Sequence, residues 1–507
     1  MKWIFYFIFI SLASSSLFCS QSLAKIPNPL KWAADTESGA PFAMITNDSK
    51  NPLIGFEVEI IQAISEELGV KLEFVQNAWD GLIPGLKNNN YDLAINGIEI
   101  TPDRQAEVSF SRPYYSTFEQ LVVRSNQEGI ESLGDCKKKK VGTLKFSLAQ
   151  RILEAEGDIE VLTYESEVAA YSDLKNKRTD AVLLDSPIAI YYAKPDMELK
   201  LVGSPIGQIL YGIAINKENK ELGKAVDKAL KKISENGKLR EILDRWNLWS
   251  PVMASYLNDQ LPSRTPPVAY QEFLQRNSGE KTITVKLKQY YNFLPALLRG
   301  ALMTLKVSLA GMFIAIILGF ILAVMKIYGS SFISWTATFY IEIIRGTPLL
   351  IQLFFIFYGL PYLGIKFSPF VAGILGLGLN YAAYEAENYR AGIFSVPKAQ
   401  VEAAIALGMN QRQALFHVIL PQAFRIALPP MTNDFISLLK DSSLVSAITM
   451  VELTKVYGQL ASTYYDYFGT GILVASIYLF LGLPFIRIAR YFERKLNVEL
   501  KEKKMIG

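Results

Sequence analysis

The residue types that carry most enzyme chemistry are scarce in this chain. Its single histidine, His417, leaves no pair for a zinc site and makes any histidine-activated nucleophile depend on one position. Of the two cysteines, Cys19 lies in an apolar N-terminal run and Cys136 stands alone beyond it, so no internal disulfide is expected once the leader is removed. No G-x-x-x-x-G-K-[ST] loop is present to cradle nucleotide phosphates, so any ATP chemistry must come from another chain. No cofactor or metal is expected. Chemistry is suggested instead by polar residues inside apolar stretches, Asn380, Glu387 and Asp441, with Glu385 as an additional acid. Such groups are costly in lipid and should face a cavity or a partner helix, where they either touch a solute or pair with Arg390 or Lys440.

The elements that position these residues follow from composition. The 507 residues allow about three folded units. Lysine plus arginine number 52 against 48 acids, a net +4 too small for a nucleic-acid footprint, so no nucleic-acid partner is expected. Half the residues are apolar, 20% are charged, and mean hydropathy is +0.19, the balance of a soluble part joined to a membrane part.

Lys2, the apolar run Trp3 to Phe18 and Ser22-Leu23-Ala24 read as a secretory signal over 1–24, and bulky Phe18 argues against a lipid anchor on Cys19. Residues 25–250 alternate between helix and strand patterns, as in the helical stretch Glu57 to Leu68 and the strand Val70 to Val75. Residues 251–290, with Pro262, Pro266 and Pro267, have linker composition; about forty flexible residues would reach roughly 35 Å. An all-α transmembrane domain of five helices is expected over 291–498, with spans near 297–325, 336–360, 369–393, 420–440 and 470–493. The fourth holds or adjoins Asn433, Asp434, Lys440 and Asp441. Five crossings from an external N-terminal domain leave the basic tail at 499–507 in the cytoplasm, as the positive-inside rule requires.

Between the third and fourth spans lie Glu402-Ala403-Ala404, Gly408 and Val418-Ile419-Leu420-Pro421. This segment resembles the EAA-x3-G-x9-I-x-L-P loop of ABC-importer permeases, with Val418 in the isoleucine position. The resemblance implies short helices docked in a groove of an ATPase: alanines allow close approach, Gly408 permits the turn, and Pro421 ends the segment. It extends over 290–498, where Ile344 to Leu350, Asn380 to Arg390 and Phe435 to Leu444 look like the polar amino-acid branch.

Residues 25–250 resemble the solute-binding proteins of the same branch, implying a bilobal α/β fold of the periplasmic-binding-protein type II. The matching stretches include Asp35 with Pro41-Phe42, Gly55 to Glu59, Trp79 to Pro84, Gly97 to Arg104 and Asp180 to Asp185. Lobe one would take about 25–113 and 212–250, and lobe two about 118–206. Burial of a free amino acid requires partners for its carboxylate and ammonium. By the resemblance these are Arg104 and Asp185, with Trp79 flanking the side chain and the backbone at Asn96 and Gly97 adding hydrogen bonds. Glu99 departs from the family's small hydroxyl residue: either it turns toward Arg104 or the ligand differs. Asp35 and Glu57 match acids of cation-binding members, which favours a basic or polar amino acid.

The implied function is capture and translocation by a non-enzymatic subunit of an ATP-driven amino-acid importer in the cell inner membrane. It implies two copies of an ATP-binding partner and a second permease copy, expected as a homodimer. A ligand-gated channel or an enzyme on the binding-protein fold are the competing classes, but every span follows the completed receptor and no T-V-G-Y-G filter is present.

Overall fold

The computed structural model describes residues 26–46, 52–164, 166–259, 265–277, 283–464 and 466–506; the leader expected over 1–24 lies outside them. Strands of the N-terminal half are β1 (Leu30–Ala34), β2 (Leu72–Gln76), β3 (Leu93–Ala94), β4 (Ser109–Phe110), β5 (Tyr115–Arg124), β6 (Lys140–Leu144), β7 (Glu160–Tyr164), β8 (Ala181–Asp185), β9 (Leu199–Tyr211) and β10 (Ala214–Ile215). They form two five-stranded sheets, ordered β2-β1-β3-β10-β4 and β9-β5-β8-β6-β7. The first sheet therefore recruits a strand from beyond the second, and the antiparallel pair β5 and β9 carries the chain between lobes. In β1, Leu30, Trp32, Ala33 and Ala34 are all buried, the continuous apolar run of a strand covered on both faces. Helix α1 (Phe56–Leu68) supplies one cover through Phe56, Ile60, Ile61 and Ile64, and stops where Gly69 turns left-handed at φ 65°.

The segment expected to be loose linker is partly built. Helices α2 (Pro251–Tyr256) and α3 (Val268–Asn277) pack back on the receptor half. Ser250 caps α2, Pro251 takes a first-turn position where no N–H is needed, Met253 is fully buried, and Phe273 lies 4.8 Å from the Tyr191 ring. Pro251 opens one helix and Pro267 stands just before the other, so these prolines mark helix starts rather than loops.

The second half is helical: α4 (Ile283–Tyr328), α5 (Ser331–Gly346), α6 (Leu349–Phe354), α7 (Pro369–Phe394), α8 (Lys398–Ala406), α9 (Gln411–Ala414), α10 (Leu420–Asp441), α11 (Leu453–Tyr464) and α12 (Tyr467–Ile506). Among the described residues, α4 and the 467–491 part of α12 are long and apolar enough to cross a membrane, and α5 with 349–363 forms a third candidate bent by 106°. The expected continuous span at 336–360 is thus two helices. Pro348 offers no N–H, and Thr347 before it is extended at φ −118° and ψ 142°. Gln352 repairs the break by donating to the Ile344 carbonyl at 2.8 Å and the Thr347 hydroxyl at 2.8 Å. Helices α7 and α10 have the length, 26 and 22 residues, but not the apolarity, so a five-helix count does not follow from length and apolarity alone.

Helices α4 and α7 run parallel at close range. A Cβ on Gly311 would meet that of Leu377 at 3.1 Å, and one on Gly319 would meet that of Glu385 at 2.6 Å. Small residues let the backbones approach where lipid supplies no hydrophobic drive. Two parallel helices require the chain to return between them, which is the work of α5 and α6. The receptor touches the end where α4 and α12 begin; the α8–α9 segment lies at the other end, where the last turn of α7 meets Ala423 of α10. Replacing Gly319 with leucine is expected to force α4 from α7 and lower the melting temperature of detergent-solubilised protein, read by fluorescence-detected size exclusion, whereas replacing Gly482, which has open space around it, is expected to leave it unchanged.

Candidate functional site

A cavity of about 140 Å³ lies between the lobes. Asp35 follows β1, Trp79 and Asn96 follow β2 and β3, and Asp185 ends β8, so the site gathers at carboxyl ends of strands, the usual ligand edge of α/β sheets. Gly97 and Glu99 complete the lining among residues singled out from sequence.

Asp35 is the hub of lobe one. Its carboxylate accepts from the Trp79 amide at 2.9 Å, from Gln76 Nε2 at 2.8 Å and from the Glu37 amide at 3.0 Å, while its own amide donates to Asn96 Oδ1 at 2.8 Å. Trp79 Nε1 in turn donates to the Asn96 carbonyl at 3.0 Å. Glu57 does not line the cavity. Fully buried in the first turn of α1, it accepts from the Gly97 amide at 2.7 Å and from the Tyr114 hydroxyl, fixing Gly97 at φ 59°, where a Cβ would also strike the Phe42 ring at 2.9 Å. Burial pushes the Glu57 carboxyl up to about 7.

Arg104 sits at the rim, outside the cavity lining. Its guanidinium is paired with Glu99, donates to the Glu99 carbonyl at 3.1 Å, and lies 4.9 Å over the Trp79 ring. Burial, with Arg151 nearby, lowers it to about 10, so it remains charged at neutral pH. Of the two readings left open for Glu99, the structure has it turned toward Arg104, and its other oxygen accepts from the Leu148 amide of lobe two at 3.1 Å. Asp185 accepts from the Tyr211 hydroxyl and stands directly across the sheet from fully buried Glu119. Burial and the charge of Asp185 hold Glu119 well above the carboxylate range, and burial raises Asp185 as well.

Glu37, Glu167 and Lys455 also line the cavity and were not singled out from sequence. Glu37 follows Asp35 by two positions, and burial raises its carboxyl to about 7 against the pull of Lys455. Glu167, 1% exposed, is raised to about 8 by burial, and its Oε1 has no hydrogen-bond partner among the described residues. Lys455 comes from α11 of the helical half, 5% exposed, with its ammonium 3.1 Å from Glu37 and 3.8 Å from Asp35. Burial pulls it down, but the charges of Asp35 and Glu37 prevail and keep it protonated.

In the helical half the polar residues pair with protein. Asn380 Nδ2 donates to Gln352 Oε1 at 3.0 Å, tying α7 to the broken span. Glu387 bridges Lys326 and Arg390, each at 2.8 Å, and Asp441 accepts from the Tyr381 hydroxyl at 2.7 Å rather than pairing with Lys440. Glu385 is fully buried, its Oε2 3.4 Å from Asn388 Nδ2, and Asn388 also donates to Asp434 at 2.7 Å. At the far end, Gly408 takes φ 90° between α8 and α9. Glu402 and Ala403 are exposed, Ala404 and Leu420 are buried, and Pro421 stands in the first turn of α10. Ile405, Leu407 and Phe416 are 48%, 83% and 62% exposed, an apolar surface of the kind that marks a protein contact.

A bilobal receptor whose cleft suits a small zwitterion, joined to a helical membrane domain with an apolar elbow, defines a solute-capturing transport subunit. Residues 30–248 match the bacterial extracellular solute-binding proteins, family 3, and residues 315–498 match the binding-protein-dependent transport system inner membrane component. A probable amino-acid ABC transporter permease of Sinorhizobium fredii is 37% identical over 40% of this chain and 89% of its own length. The L-cystine transport system permease TcyB and the arginine transport system permease ArtQ of Bacillus subtilis are each 37% identical, over 41% and 40% of this chain and 88% and 94% of their own lengths. An ancestral arginine-binding protein bound to glutamine aligns with 33% identity and a TM-score of 0.40, covering 43% of this chain and 98% of that one. The chain belongs to the amino-acid ABC transporter permeases, and it carries its solute-binding domain in the same polypeptide: it is an inner-membrane, multi-pass component of an amino-acid importer.

Because Glu57 has a raised carboxyl when folded, the stability it contributes is complete below its ordinary value of 4.5 and is lost as pH rises through about 7. Glu57→Gln, which keeps an acceptor for Gly97 but cannot ionise, is expected to gain melting temperature relative to the unsubstituted chain across that interval, with a constant difference above it.

Proposed function

We propose that the chain captures a cationic amino acid outside the membrane and passes it inward through a paired permease driven by a separate ATPase. The observation that carries the ligand class is charge: the cavity is lined by the carboxylates of Asp35, Glu37, Asp80, Glu99, Glu167 and Asp185 against the ammonium groups of Lys145 and Lys455. So many enclosed acids favour a ligand that brings positive charge. Arg104 and Asp185, near enough to feel each other's charge, would hold the ligand carboxylate and α-ammonium, the carboxylate competing with Glu99 for Arg104. Trp79 gives the ligand a flat wall, Asn96 and Gly97 offer backbone groups, Glu57 positions Gly97, and Asp35 lies with Glu37 and Glu167 at the end left for a side-chain cation.

Receptor and elbow at opposite ends of the helices support an external receptor over about 25–250, a membrane domain over about 291–498 in five crossings, and a cytoplasmic elbow of Glu402, Ala403, Ala404, Gly408, Leu420 and Pro421. The elbow would dock on the ATP-binding subunit, two copies serving two permease domains, here a homodimer. Asn380, Glu387 and Asp441, with Glu385, would border the path between them.

Calorimetry of the full chain in lipid nanodiscs against the twenty amino acids is expected to find arginine or lysine bound most tightly, with binding lost in Arg104→Ala; a neutral amino acid preferred over both would overturn the ligand class. Gly408→Leu strains a left-handed turn and is expected to abolish uptake in proteoliposomes containing the ATPase while leaving that binding intact.

A further inference from the structure

Among the described residues, Lys455 is the one group of the membrane half that lines the receptor cavity. Its position is fixed from below. Glu452 accepts from the Lys455 amide at 2.9 Å and the Thr454 amide at 2.9 Å, and the same carboxylate reaches Thr304 of α4 at 3.2 Å and Tyr478 of α12 at 3.1 Å. One turn on, Gly458 leaves room for Glu37, whose Oε1 would lie 2.5 Å from a Cβ there. The ammonium thus stands against Glu37 and Asp35, while beside them the buried carboxyl of Glu167 keeps an oxygen without a hydrogen-bond partner among the described residues.

We propose that Lys455 is a tethered cation that competes with the cationic end of the ligand for these carboxylates, so that seating the receptor on α11 drives the ligand's side chain out of the cleft. This rests on the cationic ligand class proposed above. A ligand cation and Lys455 at one acidic end repel, and each weakens the other by the same factor. Loading therefore loosens the receptor from α11, and reseating discharges it. The charged group, not the helix, sets the selectivity: a neutral ligand of the same shape gains nothing when Lys455 is removed.

The test is calorimetry of the full chain in nanodiscs with L-arginine, L-lysine and the neutral isostere L-citrulline. Lys455→Met is expected to tighten arginine and lysine by about tenfold, within the usual range of site coupling, and to leave citrulline within about twofold. Lys455→Arg is expected to behave as the unsubstituted chain. Gly458→Leu, which blocks seating without touching the ammonium, is expected to tighten the cations in the same direction. Arginine and lysine bound equally by the unsubstituted chain and Lys455→Met, or more weakly by the variant, would overturn the competition while leaving the ligand class standing. Tightening of citrulline to the same degree would show a steric plug and overturn it as well. Failure of every chain to bind either cation would overturn the ligand class and this proposal together.

Discussion

Carboxylates enclosed in one cleft repel each other, and water relieves them less the further the lobes exclude it. Asp35, Glu37 and Glu167 share such an enclosure: Arg104 is held at the rim by Glu99, and the ammonium that pairs with Asp35 and Glu37 is that of Lys455. Much of the architecture can be derived from that imbalance. The receptor sits where the lysine can enter, α11 carries a glycine where Glu37 must pass, and the segment joining the halves folds back as helices instead of letting the receptor wander.

The acids do not have equal duties. Asp35 spends its carboxylate on two amides and a glutamine side chain, which makes it a frame for Trp79 and Asn96 before it is a ligand group. Glu57 and Glu119 are a layer deeper: one sets the Gly97 backbone, the other lies directly across the sheet from Asp185, its carboxyl held well above the usual range by burial. Glu167, with one oxygen that has no hydrogen-bond partner among the described residues, is the acid of the three most open to a cation.

Asp35, Trp79, Asn96, Gly97, Glu99 and Asp185 were legible in the sequence through the motifs shared with solute-binding proteins, and the structure gathers them in one cavity at the carboxyl ends of strands. Glu57 was legible as an acid but not as a buried one, since the first turn of an amphipathic helix can point either way until the sheet beneath it is placed. Arg104 was legible as a cation, yet its partner was decided by Glu99. The broken span is written in Gly346-Thr347-Pro348, but hydropathy averages over a kink and leaves it looking continuous. The linker misled because proline marks helix starts as well as loops. Lys455 has no local signature: its role exists only once two domains meet.

The meeting is also what gives the lysine a mechanical connection to transport. Glu452 is fully buried and binds backbone of α11 together with side chains of α4 and α12, the helix that opens the membrane domain and the one that closes it. A shift of α4 against α12 cannot leave those contacts intact without carrying the first turn of α11, because a buried carboxylate that loses its donors is strongly destabilised. The far end of α4 pairs with α7 through Lys326 and Glu387, one short step from the α8–α9 elbow. A displacement at the proposed docking elbow would have a continuous packed route to the cleft through α7, α4 and the Glu452 bonds. Every link is a packed helix or a hydrogen bond to a buried acid, so the lysine is anchored to the membrane domain and not to the receptor that surrounds it.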